Sequence, residues 1–110
     1  MAVLGKVSKA KYGSIEERHV VVETVTGPAS DTSVAAGGTA DITFDIAKEV
    51  PRDVAYAGIE SISGLPADVK IQSISVDKTG KKLTVTVYNA GGTDATIPAN
   101  SVSVVVVAIA

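Results

Sequence analysis

Polar and apolar residues alternate with a period of two along much of this 110-residue chain. Successive side chains of a strand point to opposite sides, so that period predicts half-buried β-structure. The clearest case is "ADITFDI", where Ala40, Ile42, Phe44 and Ile46 point one way and Asp41, Thr43 and Asp45 the other. In "KLTVTVY", Leu83, Val85 and Val87 read as inward and Thr84, Thr86 and Tyr88 as outward. Between them, "VKIQSISV" alternates at Val69 and Ile71, then resumes at Ile74 and Val76. That change of phase predicts a bulge or a break near Gln72 and Ser73. "HVVVETVT" (19–26) and "DVAYAGI" (53–59) read as further strands with less regular alternation.

Turn residues separate these segments at intervals that suit an all-β domain. "TGPAS" (26–30), "AAGGT" (35–39), "SGLPAD" (63–68), "DKTGKK" (77–82) and "NAGGT" (89–93) are glycine- or proline-rich breaks, and Pro98 precedes the last strand. "DKTGKK" reads as a hairpin connection, with Gly80 free to adopt positive φ. "IAKEVPRDV" has room for one helical turn, which Pro51 limits. The pattern predicts an antiparallel β-sandwich, Ig-like or jelly-roll-like. The sandwich is expected over residues 15–110. Residues 1–14, "MAVLGKVSKAKYGS", lack regular alternation and are expected to form an extended N-terminal arm that orders on a partner.

The chain closes on "SVSVVVVAIA". As a strand, this segment sets Val102, Val104, Val106 and Ala108 on one side and Val105, Val107 and Ile109 on the other. Both sides are apolar from residue 104 onward. Exposing such a strand forfeits roughly 1.5 to 3 kcal/mol per branched side chain and offers an aggregation-prone edge. A second layer of the same chain, or a neighbouring subunit, is expected to cover it. Val102, Val104, Val106 and Ile109 are the candidate core or interface residues.

Composition narrows the function classes. Hydrophobic residues make up 45% of the chain, enough for a core without metal or disulfide, and there is no cysteine. Thiolate chemistry and cysteine-based zinc sites are therefore excluded. A net charge of −2 disfavours general nucleic-acid binding, which needs clustered Lys and Arg. No apolar stretch reaches the roughly 18 to 20 residues of a membrane-spanning helix. The first residues lack the apolar run of a secretory signal, so synthesis in the cytoplasm is expected. One Phe, three Tyr and no Trp leave few aromatic platforms for sugars or single-stranded nucleic acid.

Candidate chemistry is sparse. His19 is the only histidine and lies in "EERHVVV" with no nucleophile at a telling spacing, which suits a strand-edge residue in a mixed-charge patch. Asp41 and Asp45 share a strand side across Thr43, but no calcium-loop motif accompanies them, and a solvated polar surface is the expectation. The two "AGGT" segments match neither phosphate-binding nor dinucleotide-binding motifs. No cofactor or metal is expected, and no enzymatic activity.

The succession "TGPAS…VAAGGTADITFDI", then "SISGLPADVKIQSISVDKTGKKLTVTVYNAGGTDATIPANSVSVVVVAIA", resembles small β-sandwich structural proteins of tailed bacteriophage virions. The resemblance spans about residues 26–110 and lies in the order of the segments. It implies a non-enzymatic capsid decoration (cement) protein, a homotrimer on the capsid surface that reinforces the lattice by binding the major capsid protein or another virion protein. It also implies an arm that reaches neighbouring capsid subunits, for which Val3, Leu4, Lys6, Lys9 and Lys11 are the candidate attachment residues. The alternative is a receptor-binding or adhesion module, such as a tail-fibre or surface Ig-like domain, which the scarcity of aromatics disfavours.

Overall fold

The alternating segments become strands, and the turn-rich segments connect them. A computed structural model describes residues 2–11, 14–48, 50, 53–77, 79 and 81–109, with side-chain surroundings from residue 20 onward. The described residues form nine strands and no helix: β1 (Ala2–Lys11), β2 (Ser14–Gly27), β3 (Thr32–Val34), β4 (Thr39–Asp45), β5 (Tyr56–Ser63), β6 (Val69–Asp77), β7 (Lys82–Asn89), β8 (Ala95–Ile97) and β9 (Val102–Ile109). Every pairing is antiparallel. One sheet has the order β1-β2-β9-β5, a second β4-β7-β6, and β3 and β8 form a short third. The fold is thus all-β, antiparallel and sandwich-like.

Among the described residues, one apolar cluster lies between the larger sheets. Val21, Val102, Val104, Val106 and Ala108 enter it from the four-stranded sheet, and Ile42, Phe44, Leu83, Val85 and Val87 from the three-stranded one. β2 and β4 approach closely where they cross, because Gly27 has no side chain to hold them apart. A Cβ there would lie 3.0 Å from Phe44 Cε1 and 3.3 Å from Ile42 Cγ2.

The segment between β4 and β5 closes one end of the core. Ile46, Ala47, Val50 and Val54 are buried, and Ala47 takes a φ of 52°. Its backbone is tied down at several points. Ile46 N–H donates to Lys81 O at 2.8 Å, Lys81 Nζ to Val50 O at 2.5 Å, and Ala55 N–H to Ile109 O at 2.7 Å. The Ala47 N–H donates to the carboxylate of Glu23, which is itself buried. At the other end, Asn89 is fully buried and joins three segments. Its Nδ2 donates to Val34 O at 3.0 Å and Thr93 O at 2.8 Å, and its Oδ1 accepts from Gly91 N–H at 2.9 Å.

Three differences from the sequence reading concern particular segments. Residues 2–11, which showed no regular alternation, form β1 and pair with β2 from Ala2↔Val22 to Lys11↔Ser14, with an irregularity between Val3 and Gly5. β5 begins at Tyr56 and runs to Ser63, later than expected, because residues 53–55 belong to the segment that closes the core. In "IAKEVPRDV" no described residue is helical; Pro51, like Gly80 of the hairpin connection, lies outside the described residues. The phase change in β6 is a bulge, with the register shifting between Ile71 and Ser73.

β9 pairs with β2 only from Val20 to Gly27. The β1–β2 hairpin therefore runs past the end of β9 through the pairs Lys6↔His19 to Lys11↔Ser14. At roughly 3.3 Å per residue, those pairs make an overhang of about 20 Å. The long axis of 58 Å against 23 and 20 Å, and a radius of gyration of 16.2 Å, agree with that overhang, since a compact chain of this length has a radius of gyration near 13 Å.

Candidate functional site

The outer sides of the two sheets differ in chemistry. Directly opposed residues of antiparallel strands share a side of the sheet, so the register assigns each position. On the three-stranded sheet the outer side carries Thr39, Asp41, Thr43 and Asp45 from β4 opposite Tyr88, Thr86, Thr84 and Lys82 from β7. Its polar groups bind one another. Thr86 Oγ1 donates to Asp41 Oδ1 at 2.7 Å, and Lys82 Nζ reaches Asp45 Oδ1 at 2.5 Å with Lys48 on the other oxygen at 3.4 Å. The hydrogen bond and positive charge of Lys82, with a smaller contribution from Lys48, hold the Asp45 carboxyl below the usual carboxylate range. Asp41 and Asp45 are thus engaged separately.

Over the described side chains of β2, β9 and β5, the outer side of the four-stranded sheet is apolar over one half. β9 sits in its middle, with Val107 opposite Val22 and Gly58, and Ile109 opposite Val20 and Tyr56. Val105 faces Thr24 and Ser61, and Ser103 faces Thr26 and Ser63. The patch therefore grades from Val20, Val22, Val105, Val107, Ile109 and Tyr56 into a hydroxyl-lined half. Its valines and isoleucine are half-buried within the single chain, and Tyr56 is 57% exposed. The Tyr56 ring folds along its own strand over Gly58, where an added Cβ would meet the phenolic oxygen at 2.8 Å. It extends the apolar surface over a position with no side chain.

The candidate residues of β9 divide between its two sides. Val102, Val104 and Val106 are fully buried in the core of this chain. Ile109 lies on the outer side with Val105 and Val107, half-buried. Val3, Leu4, Lys6, Lys9 and Lys11 fall in β1, and Lys6 pairs in register with His19 and Lys9 with Glu16. The surroundings of the side chains of these five residues and of His19 lie outside the described residues.

A shallow polar recess of about 400 Å³ lies beside β2 and β4, lined among others by Thr24, Thr26, Thr43, Asp45, Lys48 and Asn100. The carboxylate in that set, Asp45, is the one already held by Lys82 and Lys48. Among the described residues, no group of three or more His, Asp or Glu side chains is placed to hold a metal ion, and no helix is long and apolar enough to cross a membrane.

Glu23 and Asn89 are the polar residues that sequence reasoning passed over. Each has a signal in the alternation. Asn89 continues the inward series Leu83, Val85, Val87, and Glu23 stands between Val21 and Val25 on the side that becomes the core. A polar residue in a core phase marks an internal hydrogen-bonding post.

Comparison with protein-family models, curated proteins and solved structures finds no match.

Proposed function

We propose that this chain is a non-enzymatic structural module that associates with its own copies through the outer side of β2, β9 and β5. In this reading it is a virion component, a trimeric capsid decoration protein that reinforces the shell by binding the major capsid protein. One observation carries the self-association: the outer side of one sheet is apolar around Val22, Val105, Val107, Ile109 and Tyr56, while the matching side of the other is polar. Burying that patch recovers part of the roughly 25 cal/mol per Å² that its remaining exposure forfeits. The virion setting is supported by the resemblance of residues 26–110 to phage β-sandwich structural proteins. Many weak contacts repeated over a lattice hold firmly through multivalency. We read the sandwich as Ig-like, because the order β4-β7-β6 follows the B-E-D succession of such sheets.

Sedimentation velocity of the purified chain from about 1 to 100 μM, the range where contacts of roughly 7 kcal/mol become populated, tests the association. A discrete oligomer supports it, and a monomer throughout overturns it. Co-sedimentation with phage particles produced from the genome that encodes the chain, followed by imaging, tests the virion setting. Regular density on the capsid surface is the expected result, and absence of the chain from purified particles refutes it.

A further inference from the structure

Two side chains on the core side of the three-stranded sheet are not in the core. Ile71 and Ile74 pair in register with Val87 and Val85, which are fully buried, so all four project from the same side. Yet Ile71 is 39% and Ile74 45% exposed. The cause is their place in the fold. β2 packs on β4, so the series β2-β9-β5 lies over β4-β7-β6, and β5 and β6 are the last strands on the same flank. The core-side residues of β5, Ile59 and Ile62, are themselves only partly buried. Each of these strands is paired on one side only among the described residues, and each carries a bulge, at Glu60 and at Gln72. The flank is an open apolar rim between two strand edges.

We infer that this rim receives the overhanging β1–β2 hairpin of a second copy. Length, charge and backbone chemistry each favour that occupant. The overhang of about 20 Å fits along strands of eight and nine residues, which extend for about 27 to 30 Å. The overhang carries Lys6, Lys9, Lys11 and Arg18 against Glu16 and Glu17, whereas residues 20–110 carry ten acidic against six basic residues. Asp53, Glu60 and Asp68 are exposed in β5 or its flanking segments, opposed by Lys70 at the start of β6. β1, which pairs with β2 alone among the described residues, can also supply backbone groups from its outer edge to a strand edge. The contact is heterologous, hairpin to rim, so a suitable rotation closes it into a ring. This inference rests on the self-association reading but uses a different surface from the outer sheet side.

The chain has no cysteine, so Lys9→Cys and Gln72→Cys each introduce a single thiol into the full chain. The two variants are mixed under mild oxidation, and the mixed disulfide is quantified by non-reducing electrophoresis and mass spectrometry. Thr84→Cys, on the polar outer side, replaces Gln72→Cys as the control, and Lys6→Cys provides a second hairpin position should Lys9→Cys fold poorly. The expected result is a mixed disulfide forming at least about ten-fold faster with Gln72→Cys than with Thr84→Cys, and slowed as salt screens the lysines. Equal rates for the two partners overturn the inference. Equal rates for the two cysteine pairs, alongside a wild-type chain that still assembles, leave the outer-face reading standing. A Gln72→Cys preference in a chain whose assembly ignores Val107→Asp does the reverse.

Discussion

Val107→Asp separates the fold from the association because it lies on the outer side of the central strand. Val107 is half-buried, opposite Val22 on β2 and Gly58 on β5, while the next residue along, Val106, is fully enclosed in the core. In the isolated chain the new carboxylate reaches water, and the cost is the lost β-branched packing on a central strand, about 1 kcal/mol. In an assembly that covers this side, the same carboxylate is enclosed among Val22, Val105 and Tyr56, none of which carries a positive charge. An uncompensated buried charge costs about 3 to 5 kcal/mol, which weakens the dissociation constant by about two to three and a half orders of magnitude. Val106→Ala supplies the contrast. It removes two methyl groups from the core for about 2 to 3 kcal/mol of folding stability, with little effect on the outer side. Thermal melts and sedimentation velocity on the same samples read both quantities. Val107→Asp is expected to melt close to the wild type and to need a concentration at least about a hundred-fold higher than the wild type to associate through this side. A folded Val107→Asp that assembles as the wild type does refutes the assignment of this side as the contact.

Other substitutions test what holds the sandwich itself. Asn89→Ala leaves the Val34 carbonyl without its partner in a buried place and the Thr93 carbonyl and Gly91 N–H without theirs in a half-buried one, for an expected loss of about 1 to 3 kcal/mol by denaturant titration; Asn89→Asp also destabilises, since it cannot donate to either carbonyl. Gly64 has a φ of +93°, and a Cβ there would fall 2.0 Å from the Ser101 carbonyl oxygen, so Gly64→Ala is expected to cost about 3 kcal/mol or more in a chemical melt. Asp45→Asn removes an exposed pair with Lys82 and is expected to cost less than about 1 kcal/mol at neutral pH. Because folding lowers the Asp45 pKa below its ordinary 3.8, that contribution is complete above this value and is lost as pH falls through the folded pKa. Melting differences between wild type and Asp45→Asn should therefore shrink toward zero in strong acid, and a difference that persists there refutes the assignment.

The strands that were legible in the sequence are those with one polar and one apolar side. In β4 and β7 the alternation of Asp and Thr with Ile, Phe, Leu and Val leaves one choice of inward side, and that side is the core. The bulge in β6 was legible for the same reason, since a change of phase in the apolar positions requires an extra residue. β1 was not, because Val3, Leu4 and Val7 keep no period and its strand character comes from pairing with β2. The short strands β3 and β8 each contribute one fully buried side chain, Val34 and Ile97, too few to form a pattern. For β9, composition announced two apolar sides, and the register then decided which one the chain covers itself. The exposed Ile71 and Ile74 were hidden from sequence reasoning altogether, because their inward phase says nothing about where the facing sheet stops.

The apolar outer side depends on a register that its own residues do not fix. Around Val20, Val21 and Val22 both sides of β2 are equally apolar, so these three residues do not by themselves oppose a slip by one residue, which would exchange core and surface along the strand. Glu23 removes that freedom. It lies opposite Val106 on the core side, where its carboxylate accepts from the N–H of Ala47, a residue held at a φ of 52° in the segment that closes the core. A slip would carry the carboxylate out to solvent and leave the Ala47 N–H buried without a partner, at a cost of about 1 to 3 kcal/mol. It would also place Val22 or Thr24 where that carboxylate had been. The buried glutamate thus keeps Val21 and Val25 inward and Val20 and Val22 outward, beside Val107 and Ile109. A polar group in the core thereby selects the valines that are left for a partner.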